Sequence, residues 1–103
     1  NHVVIAMRAP GAYLAMVHLK KGSLRVAAGD PVAEGAHLAD CGNSGNSTQP
    51  HLHLQVMDSA DLSVAKGLPM AFRDFREWPR GARQPLDRES GIPGEGAVVE
   101  PVR

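Results

Sequence analysis

The sequence contains little that would favour a disulfide-stabilised, nucleic-acid-binding or membrane-spanning protein. Cys41 is the single cysteine, so the chain cannot form an internal disulfide, and the residue is predicted to be a small buried hydrophobe. The 11 basic and 11 acidic side chains balance to a formal net charge of zero, which removes the electrostatic basis for binding nucleic acid or an anionic membrane surface. The longest apolar runs, such as Val3 to Met7, are too short to cross a bilayer, and no leader segment is recognisable, so we expect a soluble chain.

Short strand-like segments separated by glycine and proline make up the first half of the sequence. The length of 103 residues fits one small domain. The breaks carry turn residues, among them Asp30 between Gly29 and Pro31, and no stretch in this half has the length and periodicity of a helix. The pattern predicts a mainly β fold, an antiparallel β-sandwich with narrow corners, with strands at residues 2–7, 13–19, 23–26, 37–41 and 51–58.

The composition changes towards the C-terminal end. Prolines are spread there among glycines and charged residues, and aliphatic residues become rare. Residues 79–103 are therefore predicted to be an irregular Pro/Gly-rich tail, and residues 1–78 to be the folded core. Phe72, Phe75 and Trp78 recur at a three-residue step that fits one helical turn or an apolar patch, and we expect them to pack in the core.

The clearest functional signal is a pair of histidines, His51 and His53, in a segment that is predicted to be a half-buried strand. Side chains at positions i and i+2 of a strand leave the same face, about 7 Å apart. One imidazole could therefore bind a metal ion while its neighbour reaches a water on that metal. Residues 42–49, which precede the pair, are turn-forming, and His18 in another predicted strand is a third candidate.

The order of these motifs resembles peptidase family M23, the lysostaphin-type zinc endopeptidases of bacterial cell walls. Residues 1–5 (Asn-x-Val-Val-Ile) resemble the family's first core strand, residues 13–19 its strand ending in His-Leu, and residues 26–35 its turn with glycine corners. Residues 42–53 are similar to the family's signature that ends in His-x-His. The resemblance covers about residues 1–75 and implies a barrel-sandwich hybrid fold with a duplicated hybrid motif.

The resemblance implies a role for each candidate histidine. His53 corresponds to a zinc ligand, and His51 and His18 correspond to non-ligand histidines beside a metal-bound water. A catalytic zinc keeps three protein ligands and lowers the pKa of its water to about 7. His51 would take the water's proton and later deliver it to the leaving amine, and His18 would donate to the oxyanion. His2 and His37 lie where the family has no catalytic residue and are expected to be surface or strand residues.

The resemblance also implies that part of the zinc site is missing. The family's other two ligands come from a His-x-x-x-Asp motif upstream of the Asn-x-Val strand, whereas this chain starts at Asn1 and contains no such pattern. We therefore expect a truncated domain whose parent protein binds one Zn²⁺ ion. A single imidazole cannot hold a catalytic zinc, so the isolated chain is expected to be inactive.

The implied function is that of a zinc metalloendopeptidase that hydrolyses peptide cross-links of peptidoglycan, acting on peptidoglycan peptides in the cell envelope or outside the cell. A first alternative is a degenerate, non-catalytic M23-like binding or activator domain of the cell envelope. A second alternative is a biotinyl or lipoyl carrier, which has the same Gly-Asp-x-Val-x-x-Gly corner. Such carriers modify a lysine at an exposed hairpin tip, however, and neither the Lys20-Lys21 pair nor Lys66 has that setting.

Overall fold

A computed structural model describes residues 1–45 and 48–102, and within them the regular elements are β-strands. In chain order they are β1 (His2–Ala6), β2 (Tyr13–Val17), β3 (His53–Met57), β4 (Gly67–Leu68), β5 (Phe72–Trp78), β6 (Leu86–Gly91) and β7 (Val98–Pro101). The strands pair antiparallel throughout. The predicted mainly β, antiparallel class is confirmed, and the sandwich arrangement stays a prediction. None of the described residues forms a helix long and apolar enough to cross a membrane.

The chain divides into two compact units, Asn1–Leu68 and Pro69–Arg103. The first unit contains a four-stranded sheet in the order β1-β2-β3-β4, and the second contains a three-stranded sheet in the order β6-β5-β7. Neighbouring strands are antiparallel in each sheet, but β2 and β3 are connected by the long segment 18–52, and β7 pairs with β5 and not with the preceding strand β6.

The first sheet is centred on β2, whose apolar residues pair on both sides. Ala15 and Met57 are fully buried, so this part of the core lies on β2 and β3. The register pairs Val17 with His53, so the end of β2 meets the start of β3. That register decides where the candidate site lies, because His18 follows β2 directly.

Two of the predicted strands in the first unit are wrong. Residues 23–26 and 37–41 do not form strands. The two segments nevertheless lie side by side, since the amide of Arg25 donates to the carbonyl of Leu38 at 2.8 Å. Closely spaced glycine and proline turns leave these segments too short for a continuous ladder. The predicted burial of Cys41 is also wrong, because this thiol is exposed.

The turn between these two segments forms at Asp30, as its sequence predicts. The Asp30 carboxylate accepts the amide of Ala27 at 2.8 Å, while the amide of Asp30 donates to the Ala27 carbonyl at 3.0 Å. The prediction that Asp30 is a turn former is confirmed. A carboxylate that accepts a nearby backbone amide in this way is a common means of closing a tight turn.

The second unit corrects the expectation of an irregular tail. Within residues 79–103, β6 and β7 are regular strands that pair with opposite edges of β5. The middle of β6 is Asp87-Arg88-Glu89, so this strand lacks the alternation of apolar and polar residues by which strands are recognised in a sequence. Its pairing with β5 supplies the order instead.

The aromatic step at residues 72–78 lies in β5 and not in a helical turn. Phe75 is buried at 6% exposure, which confirms its predicted core position. Phe72 is 41% exposed, so the same prediction is wrong for that residue. A three-residue step places successive aromatics on opposite faces of a strand, and one face of β5 is less covered than the other.

Candidate active site

The structure brings the three candidate histidines together at the junction of β2 and β3. The centroid of the His18 ring lies 4.7 Å from that of His51 and 5.7 Å from that of His53. His18 is buried, whereas His51 and His53 are exposed. The His18 ring is therefore packed inside the first unit, and the rings of His51 and His53 are accessible to solvent. The catalytic roles of these residues stay predictions.

His51 reaches the cluster by a different route from the predicted one. β3 begins at His53, so the two histidines do not alternate along one strand, and that premise is wrong. The amide of His51 donates to the carbonyl of Gly42 at 3.2 Å, and its Nδ1 donates to the carbonyl of Gln49 at 2.8 Å. Loop hydrogen bonds thus position this ring, because proline at the preceding position cannot donate to a sheet ladder.

His18 has an unusual backbone conformation. Its φ of 66° lies in the left-handed region, which costs a residue with a Cβ about 1–2 kcal/mol. Its carbonyl accepts the amide of Gly42 at 2.9 Å, and the next residue, Leu19, is 3% exposed. Burial and backbone hydrogen bonds hold this conformation, and a strained residue held by its surroundings is typical of functional sites.

Ser44 orients the His18 ring, and it is a residue that the sequence reasoning missed. Its carbonyl accepts the Nδ1 proton of His18 at 2.8 Å, while its hydroxyl donates to the carbonyl of Leu19 at 2.6 Å. The hydroxyl therefore ties the loop to the chain beside the ring that the carbonyl binds. The only available signal was the position of Ser44 in the Gly/Asn/Ser run before His51, which indicates a turn but no contact.

Gly42 allows this loop to approach His18 closely. A Cβ built on Gly42 would lie 2.5 Å from the Cα and from the amide nitrogen of Lys20. No side chain fits there without movement of the backbone. Glycine is therefore required at this position because the two chain segments pack closely, and not because of a positive φ.

Hydrogen bonds determine which nitrogen of each imidazole carries its proton. The partners of His18 and His51 are carbonyl oxygens, which can only accept, so Nδ1 is protonated in both rings. In His53, Nε2 donates to Oε1 of Gln55 at 2.9 Å, and the Gln55 amide donates to Sδ of Met57 at 3.5 Å. The lone pair of neutral His53 is therefore on Nδ1, where a metal ion could be bound.

The described residues do not complete a metal site by themselves. Residues 1–45 and 48–102 contain no group of three His, Cys, Asp or Glu side chains placed to hold a metal ion. A catalytic zinc needs three protein ligands. The donor set fits a partial site, in which His53 is one candidate ligand, and does not fit a complete zinc centre.

The fold and the cluster define a mainly β protein with a histidine-lined candidate active site. A family model of peptidase family M23 matches residues 1–66, a span that contains all three histidines and the loop of Ser44. The chain belongs to peptidase family M23. No curated protein and no solved structure shows a significant match to it. The family model does not extend to β5, β6 and β7.

Proposed function

We propose that this chain is part of a zinc metalloendopeptidase that hydrolyses the peptide cross-links of bacterial peptidoglycan. Membership in peptidase family M23 supports a peptidase. The observation that carries the proposal is the convergence of the His18 ring with those of His51 and His53, at 4.7 and 5.7 Å between centroids. A buried imidazole beside two exposed ones is an arrangement suited to proton transfer and to stabilisation of charge.

The proposal gives each ring a separate task, which its hydrogen bonds support. The lone pair of neutral His51 is on Nε2, so this ring can accept the proton of an attacking water and return it to the leaving amine. His18 also carries its proton on Nδ1, and it can donate to an oxyanion from Nε2 only when both of its nitrogens are protonated. His53 offers Nδ1 as a ligand.

Two further zinc ligands must come from outside the described residues. In this proposal they belong to a His-x-x-x-Asp segment of the parent protein, as the resemblance implies. With one candidate ligand, the isolated chain is then inactive, because tight zinc binding needs several pre-placed donors. The proposed substrate also locates the parent protein in the cell envelope or outside the cell, with peptidoglycan peptides as its partners.

The test uses the longer protein that includes the segment encoded before Asn1. Release of soluble peptides from purified peptidoglycan is measured for that protein and for its His53→Ala variant. We expect a loss of roughly 100-fold or more, and the same loss after exhaustive chelation, with recovery on addition of Zn²⁺. His2→Ala, which removes an exposed histidine on β1, is the matched control and should retain the rate. An unchanged rate for His53→Ala or after chelation would reject the mechanism.

A second candidate function is a non-catalytic binding or activator domain of the cell envelope. It is favoured by the lack of a three-ligand group among the residues that the structure describes. The two functions differ in metal content, because the catalytic protein should contain one zinc per chain and the binding domain none. The family match gives no support to a carrier domain, for which a cofactor adduct on lysine would be needed.

A further inference from the structure

A basic cleft of about 250 Å³ lies beside the chain segment that carries His18. Lys20, Lys21 and Arg25 line it, together with Asp40 and the turn between them. Lys20 is two residues from His18 in the chain, and both residues are hydrogen-bonded to the segment 40–42. The carbonyl of His18 accepts the amide of Gly42, and the amide of Lys20 donates to the carbonyl of Asp40. The cleft and the histidine cluster thus share one pair of chain segments.

The charge of the cleft is positive and largely uncompensated. No carboxylate among the described residues forms an ion pair with Lys20, Lys21 or Arg25. Asp40, the one acidic residue in the lining, accepts a hydrogen bond from the ring of His37 at 2.8 Å, and it offsets only one of the three positive charges of Lys20, Lys21 and Arg25. Because the whole chain has no net charge, this positive charge is a local feature.

The backbone around the cleft is held in place. The hydroxyl of Ser23 donates to the carbonyl of Lys20 at 2.7 Å and accepts the amide of Asp40 at 3.0 Å. The amide of Ser23 donates to the same Lys20 carbonyl at 3.1 Å, closing the turn. A closed turn limits the backbone entropy that is lost when a ligand binds there.

We propose that this cleft binds a carboxylate group of the peptide substrate close to the scissile bond. The inference rests on the proposed peptidase function, which places a peptide next to His18. Ammonium and guanidinium groups form strong, charge-assisted hydrogen bonds with carboxylates, and the guanidinium of Arg25 can bind one in a bidentate manner. Peptides with a free carboxylate near the cleaved bond are then the preferred substrates.

The test measures binding by the 103-residue chain in the presence of a chelator. The probes are a short acetylated peptide with a free C-terminal carboxylate and the same peptide with a C-terminal amide, titrated while backbone amide NMR signals are followed. We expect the carboxylate peptide to shift signals of residues 20–25 and 40, and the amide peptide to bind at least about tenfold more weakly. Lys21→Gln with Arg25→Gln should weaken binding of the carboxylate peptide by roughly tenfold, and the exposed control Lys66→Gln should not.

Several outcomes would overturn this proposal. They are equal binding of the two peptides, no binding of either, shifts that map away from the cleft, or unchanged binding by the double variant. Because chelator is present throughout, the result does not depend on zinc or on hydrolysis. A parent protein that cleaves peptidoglycan, but whose cleft does not distinguish the peptides, would refute the carboxylate site and leave the proposed function intact.

Discussion

At the scale of single residues, the candidate site depends on the acceptors that surround its imidazoles. The rings of His18 and His51 donate to backbone carbonyls, and that of His53 donates to a side-chain amide oxygen. Each neutral ring therefore has its lone pair on a determined nitrogen. For His18 the acceptor is the carbonyl of Ser44, so the orientation of the ring depends on how firmly that loop residue is held.

We expect Ser44→Ala to disturb the His18 ring although the carbonyl that binds it is retained. The substitution removes the hydroxyl that donates to Leu19, so the loop loses an anchor worth about 1 kcal/mol. The Nδ1 proton of His18 should then exchange faster and its ¹⁵N signals should move towards a mixture of tautomers, as seen by NMR of the histidine rings. Ser44→Thr keeps the hydroxyl and should restore the native signals. Unaltered His18 signals in the alanine variant would show that the hydroxyl does not position the ring.

At the scale of elements, the site is made where one strand ends, another begins and a loop crosses beside them. The register of Val17 with His53 sets the strand ends, and the loop that contains Gly42 brings Ser44 to the ring of His18. The loop and the segment at Lys20 approach so closely at Gly42 that no side chain fits between their backbones.

Gly42→Ala is expected to destabilise the first unit by about 2 kcal/mol, because the new methyl group would overlap the backbone of Lys20 and force the loop away. Urea denaturation followed by circular dichroism measures the change. Gly67→Ala is the matched control, since a Cβ there meets no atom within 4 Å, and its effect should stay within about 0.5 kcal/mol. Equal midpoints for the two variants would contradict the close approach.

At the scale of the whole molecule, the two units differ in the interactions that stabilise each of them internally. The first is the part matched by the M23 family model, and it buries Ala15, Leu19 and Met57. In the second, the buried residues include the charged Glu77, whose carboxylate accepts from Arg88 and from the amide of Gly94 at 2.8 Å. The second unit therefore relies on a buried ion pair as well as on apolar burial.

Glu77→Gln should destabilise the second unit by about 2 kcal/mol, because it leaves the guanidinium of Arg88 without a counter-charge. Arg88 is partly exposed, so this loss is smaller than that for a fully buried ion pair. Amide hydrogen exchange in β5 and β6 measures the effect. Glu100→Gln removes one of the two carboxylate partners of Arg76, the other being Asp87, and should cost less than about 1 kcal/mol because both pairs are exposed. Similar exchange rates in both variants would show that the buried pair does not stabilise this sheet.

Much of the first sheet could be predicted because its strands carry a strong local signal. β1, β2 and β3 are rich in valine, leucine and isoleucine, and turn residues mark their ends. β6 could not be predicted, because its charged residues are ordered by pairing with β5. The bounds of β3 were also missed, since the hydrogen bonds of His51 go to loop carbonyls that no local pattern identifies.

The amino-acid sequence by itself determined the β class and the three early strands, since each depends on residue type and short-range spacing, and the order of its motifs led to the choice of His18, His51 and His53. Only the tertiary structure decided that these rings meet, which nitrogen of each ring is protonated, and that Ser44 and Gly42 position His18. The physical reason is that strand propensity and turn formation are local. Ring contacts, hydrogen-bond partners and the close approach of two backbones arise between residues that are distant in the chain.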